Sequence, residues 1–186
     1  MQSRLRGLIL AALFAAITAV LAQVTIPLPL VPITGQTLAV GLAATILGSR
    51  LGTLSMVLYA LLGAVGIPVF SEASGGFQVI LGPTGGYIIG FIVTAYVIGR
   101  MIEKTRSNFS MAMVANVVGM VVTLAIGVVQ LKFAADLPWN AALAAGVYPF
   151  IIGGLLKAAI ASYLGIVVKE RLAQARLLPV SPKSAN

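Results

Sequence analysis

Phe109-Ser-Met-Ala-Met-Val-Ala-Asn-Val-Val-Gly-Met-Val-Val-Thr-Leu-Ala-Ile-Gly-Val-Val-Gln-Leu-Lys-Phe133 holds a single charge, Lys132, next to its far end. An apolar run of this length reads as a helix that crosses a bilayer, a job that takes about 20 mostly apolar residues. The rest of the chain is built in the same way. Of its 186 residues, 60% are hydrophobic and 9% charged, and the mean hydropathy is +1.08. Apolar runs predict helices over about residues 5–25, 36–49, 52–66, 86–102, 109–133 and 146–169. The fold class expected is an all-α integral membrane protein with six transmembrane helices, forming a single membrane domain over residues 1–178. The second and third helices are short and call for tilt or for help from flanking residues.

Charge orients the bundle. Arg4 and Arg6 precede the first run, Arg50 divides the second from the third, Arg100, Lys104 and Arg106 divide the fourth from the fifth, and Lys169, Arg171, Arg176 and Lys183 follow the last. The other connections hold Lys132 alone, so basic loops alternate with neutral ones and both termini are expected in the cytoplasm. A cleaved signal peptide ending at Val20-Leu21-Ala22 would spoil this alternation, and the retained helix is the better account. The net charge of +8 is spread over helix ends rather than gathered among aromatics, so no nucleic-acid partner is expected. The chain has no cysteine and no histidine, and its acids, Glu72, Glu103, Asp136 and Glu170, are far apart. Metal sites, thiolate chemistry and paired-carboxylate catalysis are therefore not expected. No GxxxxGK[ST] loop is present, so nucleotide hydrolysis has no place in this chain.

The neutral connections differ in chemistry. Pro27, Pro29 and Pro32 predict a stiff, extended segment. Gly66 to Tyr87 is polar and glycine-rich, and reads as a binding loop. Its Gly82-Pro-Thr-Gly-Gly-Tyr87 end offers turn chemistry followed by a helix start with available backbone N–H groups. Residues 134–145 form a third cap, with Trp139 suited to the membrane interface. Residues 179–186 read as a disordered cytoplasmic tail.

Lys157 is the one charge set well inside an apolar helix, which makes it a functional-site candidate facing the bundle interior or a cavity, the plainer alternative being a lysine paired with a backbone carbonyl or reaching towards an interface. Phe150, Gly154, Ala161 and Gly165 share its face, leaving room for a ligand or for a closely packed helix. On the fifth helix Asn116, Thr123 and Gln130 form a polar stripe, for which interhelical hydrogen bonding is the commoner explanation; only Gln130 joins the candidate site. The first helix carries Ala11, Ala15 and Ala19 on one stripe and Ala12 and Ala16 on the next, a smooth surface open to another helix.

Four segments, Pro27-x-Pro-x-x-Pro-Ile-Thr-x-Gln-Thr37, Leu58-Tyr-x-Leu-Leu-Gly-x-x-Gly-Ile-Pro-Val-Phe70, Gly82-Pro-Thr-Gly-Gly-Tyr-x-x-Gly-Phe91 and Pro149-Phe-x-x-Gly-x-Leu-Leu-Lys157, together resemble the BioY family of biotin transporters. The resemblance implies the substrate-binding S component of an energy-coupling factor (ECF) transporter in the bacterial cytoplasmic membrane. Such a subunit has a biotin pocket near the outer face and no cofactor of its own. A transmembrane coupling protein and two ATPase subunits use the ATP, and the alanine face of the first helix is implied as their docking surface. The substrate-binding set expected is Lys157, Gln36, Gln78, Tyr87, Gly75, Gly76, Thr84, Phe70 and Gln130. The chain departs from the family pattern at Gly154, where an acid is expected, and at Ile152, where a proline is usual. The ligand's carboxylate would then supply the counter-charge for Lys157, or Gln78 or Gln36 would take over contacts to the ring. A self-sufficient carrier of biotin or a related acid is the alternative. An intramembrane enzyme using Lys157 as nucleophile or base is a weaker one, since no second group completes a catalytic pair.

Overall fold

The computed structural model describes residues 2–105, 107–175 and 177–178. Arg106, Arg176, Lys183 and the tail expected over 179–186 lie outside the described residues. In chain order the elements are α1 (Gln2–Ala22), β1 (Thr25–Ile26), β2 (Ile33–Thr34), α2 (Gln36–Ala64), α3 (Phe77–Leu81), α4 (Gly85–Lys104), α5 (Phe109–Ala134), α6 (Trp139–Gly146) and α7 (Tyr148–Gln174).

Among the described residues five helical stretches are long and apolar enough to cross a membrane, and a sixth crossing comes from a fold within α2. The helices predicted over 36–49 and 52–66 form one run that breaks at Gly48, where φ is 78° and ψ −173°. That conformation is open essentially to glycine alone. The two limbs then run back along each other. Gln36 Nε2 donates to the Tyr59 hydroxyl, although the two residues would stand about 34 Å apart on a straight helix. A Cβ on Gly52 would likewise lie only 3.0 Å from Ala44 Cα. The predicted loop between the limbs has thus shrunk to a single-glycine hinge. Glu103 of α4 secures it by accepting from Ser49 N at 2.7 Å and from Ser49 Oγ at 2.8 and 3.0 Å. A carboxylate there satisfies exposed donors at a helix start and complements the helix dipole.

Small residues and buried hydroxyls join the helices, as expected where lipid offers no hydrophobic drive for helix association. Thr94 on α4 donates to Gly119 O at 3.0 Å and lies 2.7 Å from Thr123 Oγ1 on α5. Asn116 Nδ2 reaches Thr45 Oγ1 at 3.1 Å and Ser162 Oγ at 3.2 Å, tying α5 to α2 and α7. Asn116 and Thr123 of the α5 stripe therefore join helices while also bordering a cavity, whereas Gln130 anchors the glycine-rich loop.

The alanine stripes of α1 divide. Ala11 and Ala15 are 0% and 2% exposed and pack inside the bundle, which corrects their expected role as docking residues. Ala12 and Ala16 are exposed and Ala19 is half-buried.

The proline-rich segment is extended as expected and closes into an antiparallel hairpin, Thr25 opposite Thr34 and Ile26 opposite Ile33. The hairpin cuts α1 short of its predicted end at 25. The glycine-rich loop coils into a 3-10 turn at Ser71–Ala73 and the short α3. The third cap becomes α6, and α7 starts after Val147 with a proline in its first turn. These three connections gather at one end of the bundle, and Gly48, Glu103, Ser107 and Lys169 gather at the other.

Candidate functional site

A cavity of about 950 Å³, its open mouth included, enters the bundle from the end that carries the three caps. The first limb of α2, α4, α5 and the start of α7 form its walls, and the hairpin and Ser71 rim it.

One wall is aromatic. Tyr87 and Phe91 face in from α4 and Phe150 from α7. The Tyr87 and Phe150 rings lie 6.2 Å apart, inclined by 30°. Tyr87 is fixed because its hydroxyl donates to Gly146 O at 2.7 Å, and the missing side chain of Gly127 makes room for its ring. Such rings present flat apolar area while the hydroxyl remains satisfied.

A second part of the lining is polar and built on the hairpin. Lys157 Nζ donates to Thr34 O at 2.6 Å. Thr34 Oγ1 donates to Gln36 Oε1 at 2.7 Å and accepts from Gln36 N at 3.3 Å. Gln36 Nε2 donates to the Tyr59 hydroxyl, which donates in turn to Val69 O at 3.0 Å. A relay of fixed groups therefore runs from the glycine-rich loop to the ammonium. Lys157 stands nine residues beyond the first residue of α7, Tyr148, or about 14 Å along the helix. Its ammonium has three donors, and Thr34 O takes one. Among the described residues the one ion pair is Arg100 with Glu103, at the far end, so no carboxylate neutralises Lys157. A partly buried cation without a counter-charge can receive an anion or a strong acceptor.

Four of the expected residues line this cavity: Gln36, Thr84, Tyr87 and Lys157. The other five do not, and each has a structural task. Phe70 is fully buried, edge-on to Tyr59 at 5.5 Å, in space left by Gly63. Gly76 N donates to Gly63 O at 2.7 Å, and Gly75 lies against the Ile67 carbonyl, so both fasten the loop to the end of α2. Gln78 is exposed and donates to Gly75 O at 2.9 Å, closing its own turn. Gln130 Nε2 donates to Ile80 O at 2.6 Å and Gly82 O at 2.9 Å, which anchors the loop to α5. The start of α4 is also taken up by packing: Gly85 and Gly86 lie against Gln130 and the Ile126 carbonyl.

The face of α7 named from its spacing splits by height. Phe150, Gly154 and Lys157 border the cavity, whereas Ala161 and Gly165 meet Gly41 and Thr45 of α2. Space for a ligand and close helix packing both occur, at different depths.

Sequence reasoning left out Thr34, Thr37, Ser71, Phe91 and Met120, which also line the cavity. Thr34 and Thr37 were within reach, since they flank Gln36 in a proline-led segment; Phe91 and Met120 carry no mark that separates a lining side chain from a packed one.

The sequence profile of the BioY family matches residues 1–174. The chain is 39% identical over 171 residues to the biotin transporter BioY2 of Lactococcus lactis subsp. cremoris, covering 92% of this chain and 94% of the relative. It is 41% identical over 166 residues to the biotin transporter BioY of Thermotoga maritima, covering 89% and 97%. Its fold superposes with a TM-score of 0.83 on a crystal structure, at 2.1 Å, of the S-component for biotin from an ECF-type ABC transporter, at 25% identity and covering 91% of this chain and 93% of that one. Matched along nearly its whole length by profile, by relatives and by fold, this chain belongs to the BioY family.

Proposed function

We propose that the protein is the biotin-binding S component of an ECF transporter, and that the cavity beside Lys157 is its substrate site. The observation that carries this reading is an ammonium bound by a single backbone carbonyl inside a partly aromatic cavity. Biotin pairs an apolar, hydrogen-bonding ring system with a carboxylate, the combination that such a wall can hold. The family and the names of its transporters support the assignment, and they speak against an intramembrane enzyme. The same reading sets the caps outside a bacterial cytoplasmic membrane and both termini inside it. A coupling protein with two ATPase subunits would dock on the protein and use ATP, and the bound site would turn towards the cytoplasm.

Titration of the purified protein in detergent with biotin, desthiobiotin and unrelated vitamins tests the substrate. Saturable binding of biotin, with the unrelated vitamins failing to compete, is the expected result. If biotin does not bind saturably, the assignment is lost. Uptake by cells that lack every coupling module would instead mark a self-sufficient carrier.

A further inference from the structure

Gly154 stands one turn before Lys157, on the same face of α7 and on the cavity wall. The space beside it is occupied by a side chain of α5. A Cβ on Gly154 would lie 3.1 Å from Met120 Cγ and closer still to the Met120 sulfur, with no other atom in reach. Beside the neighbouring Gly153 the space is open within 4 Å. Met120 is half-buried, and it projects from α5 between Asn116 and Thr123, both held by hydrogen bonds to other helices. The helix that carries it is therefore firmly placed, and the unbranched thioether has three rotatable bonds through which it can yield.

From this geometry we propose that Met120 is the specificity-determining residue of the cavity, its thioether using the recess at Gly154 to set how large an acid fits beside Lys157. With the sulfur in the recess, the cavity keeps its width. A side chain at 154 would drive the thioether out of the recess and into ligand space. Methionine suits the part because it is unbranched and fills irregular gaps, so its thioether can enter the narrow recess that a branched side chain could not. The inference rests on the assignment of the cavity as the substrate site, but the contact itself exists without ligand.

The test is a double-substitution cycle with Gly154→Ala, Met120→Ala and the pair, read by biotin binding and by melting in detergent. Gly154→Ala should weaken binding roughly tenfold and lower the melting temperature, because the added methyl overfills the recess. Both losses should largely disappear in the Met120→Ala background, since residues in contact do not act additively. Equal losses in the two backgrounds overturn the proposal. A set of acids of one charge, desthiobiotin, biotin, biotin sulfone and the chain-extended homobiotin, reads specificity directly. Met120→Ala should shift preference towards the bulkier members, and an unchanged order would also overturn the proposal. If the unsubstituted protein binds no biotin while the melting losses remain coupled, the biotin assignment fails and the Met120–Gly154 pair survives.

Discussion

Lys157 brings cost and purpose together in one side chain. Its side chain is half-buried, and its ammonium takes one carbonyl, leaving donors for a ligand. A charge-assisted hydrogen bond contributes about 1.5 to 3 kcal/mol. Lys157→Ala should therefore weaken biotin binding roughly ten- to a hundredfold. Part of any effect could come from releasing the hairpin, because Thr34 O would lose its donor. Melting measured alongside separates the two: a variant that melts as the unsubstituted protein does, yet binds biotin as tightly, removes Lys157 from the site. Lys157→Arg should fail to restore binding, since a longer, planar guanidinium would overfill the space that the compact ammonium occupies beside Thr34 O. Lys157 was legible in the sequence because a charge deep in an apolar helix is conspicuous. Gln78 misled for the converse reason: in a polar loop a glutamine that closes its own turn has the same composition as one that binds.

Among the elements, α2 shows how one residue turns a single helical run into two crossings. Gly48→Ala forces a side chain into a backbone region that costs about 1–3 kcal/mol, and its Cβ would meet Glu103 Oε1 at 2.5 Å. The variant should melt measurably lower in detergent, and unchanged melting would show that the hinge carries no strain. The sequence placed both limbs, since apolarity is summed over many residues, but it assigned them a loop. A break within one peptide unit leaves no stretch of polar residues to reveal it. On α1, composition showed the small residues but could not assign their faces, because alanine is frequent on every side. With Ala15 buried and Ala12 and Ala16 exposed, tryptophan has opposite effects at neighbouring positions. Ala12→Trp or Ala16→Trp should block assembly with a coupling module while leaving biotin binding nearly unchanged. Ala15→Trp should instead damage the fold, lowering melting and binding together. Assembly that survives both exposed substitutions would move the docking surface away from α1.

For the molecule as a whole, charge and chemistry are segregated along the bundle axis. Arg4, Arg50, Arg100, Lys104, Lys169 and Arg171 belong to the end that holds Gly48 and Glu103, and the cavity opens at the other. Positively charged connections are retained on the cytoplasmic side during insertion, so on the proposed topology the same asymmetry would point the cavity outwards. The break at Gly48 makes the number of crossings even, which brings the start of α1 and the end of α7 to the same, basic end. If the α2 limbs did not both cross, the caps on either side of them would face opposite compartments, and the hairpin could not meet α7 as it does through Thr34 and Lys157. Single cysteines at Gln78 and Ser107, both exposed and at opposite ends, read this directly. In intact cells a membrane-impermeant maleimide should label Gln78→Cys, and Ser107→Cys should react only after the membrane is opened. Labelling of Ser107→Cys alone would invert the molecule and leave the cavity facing the cytoplasm, a geometry incompatible with capture of an external vitamin. Equal labelling at both positions would mean mixed insertion, and the basic end would then have lost its role as the orienting signal.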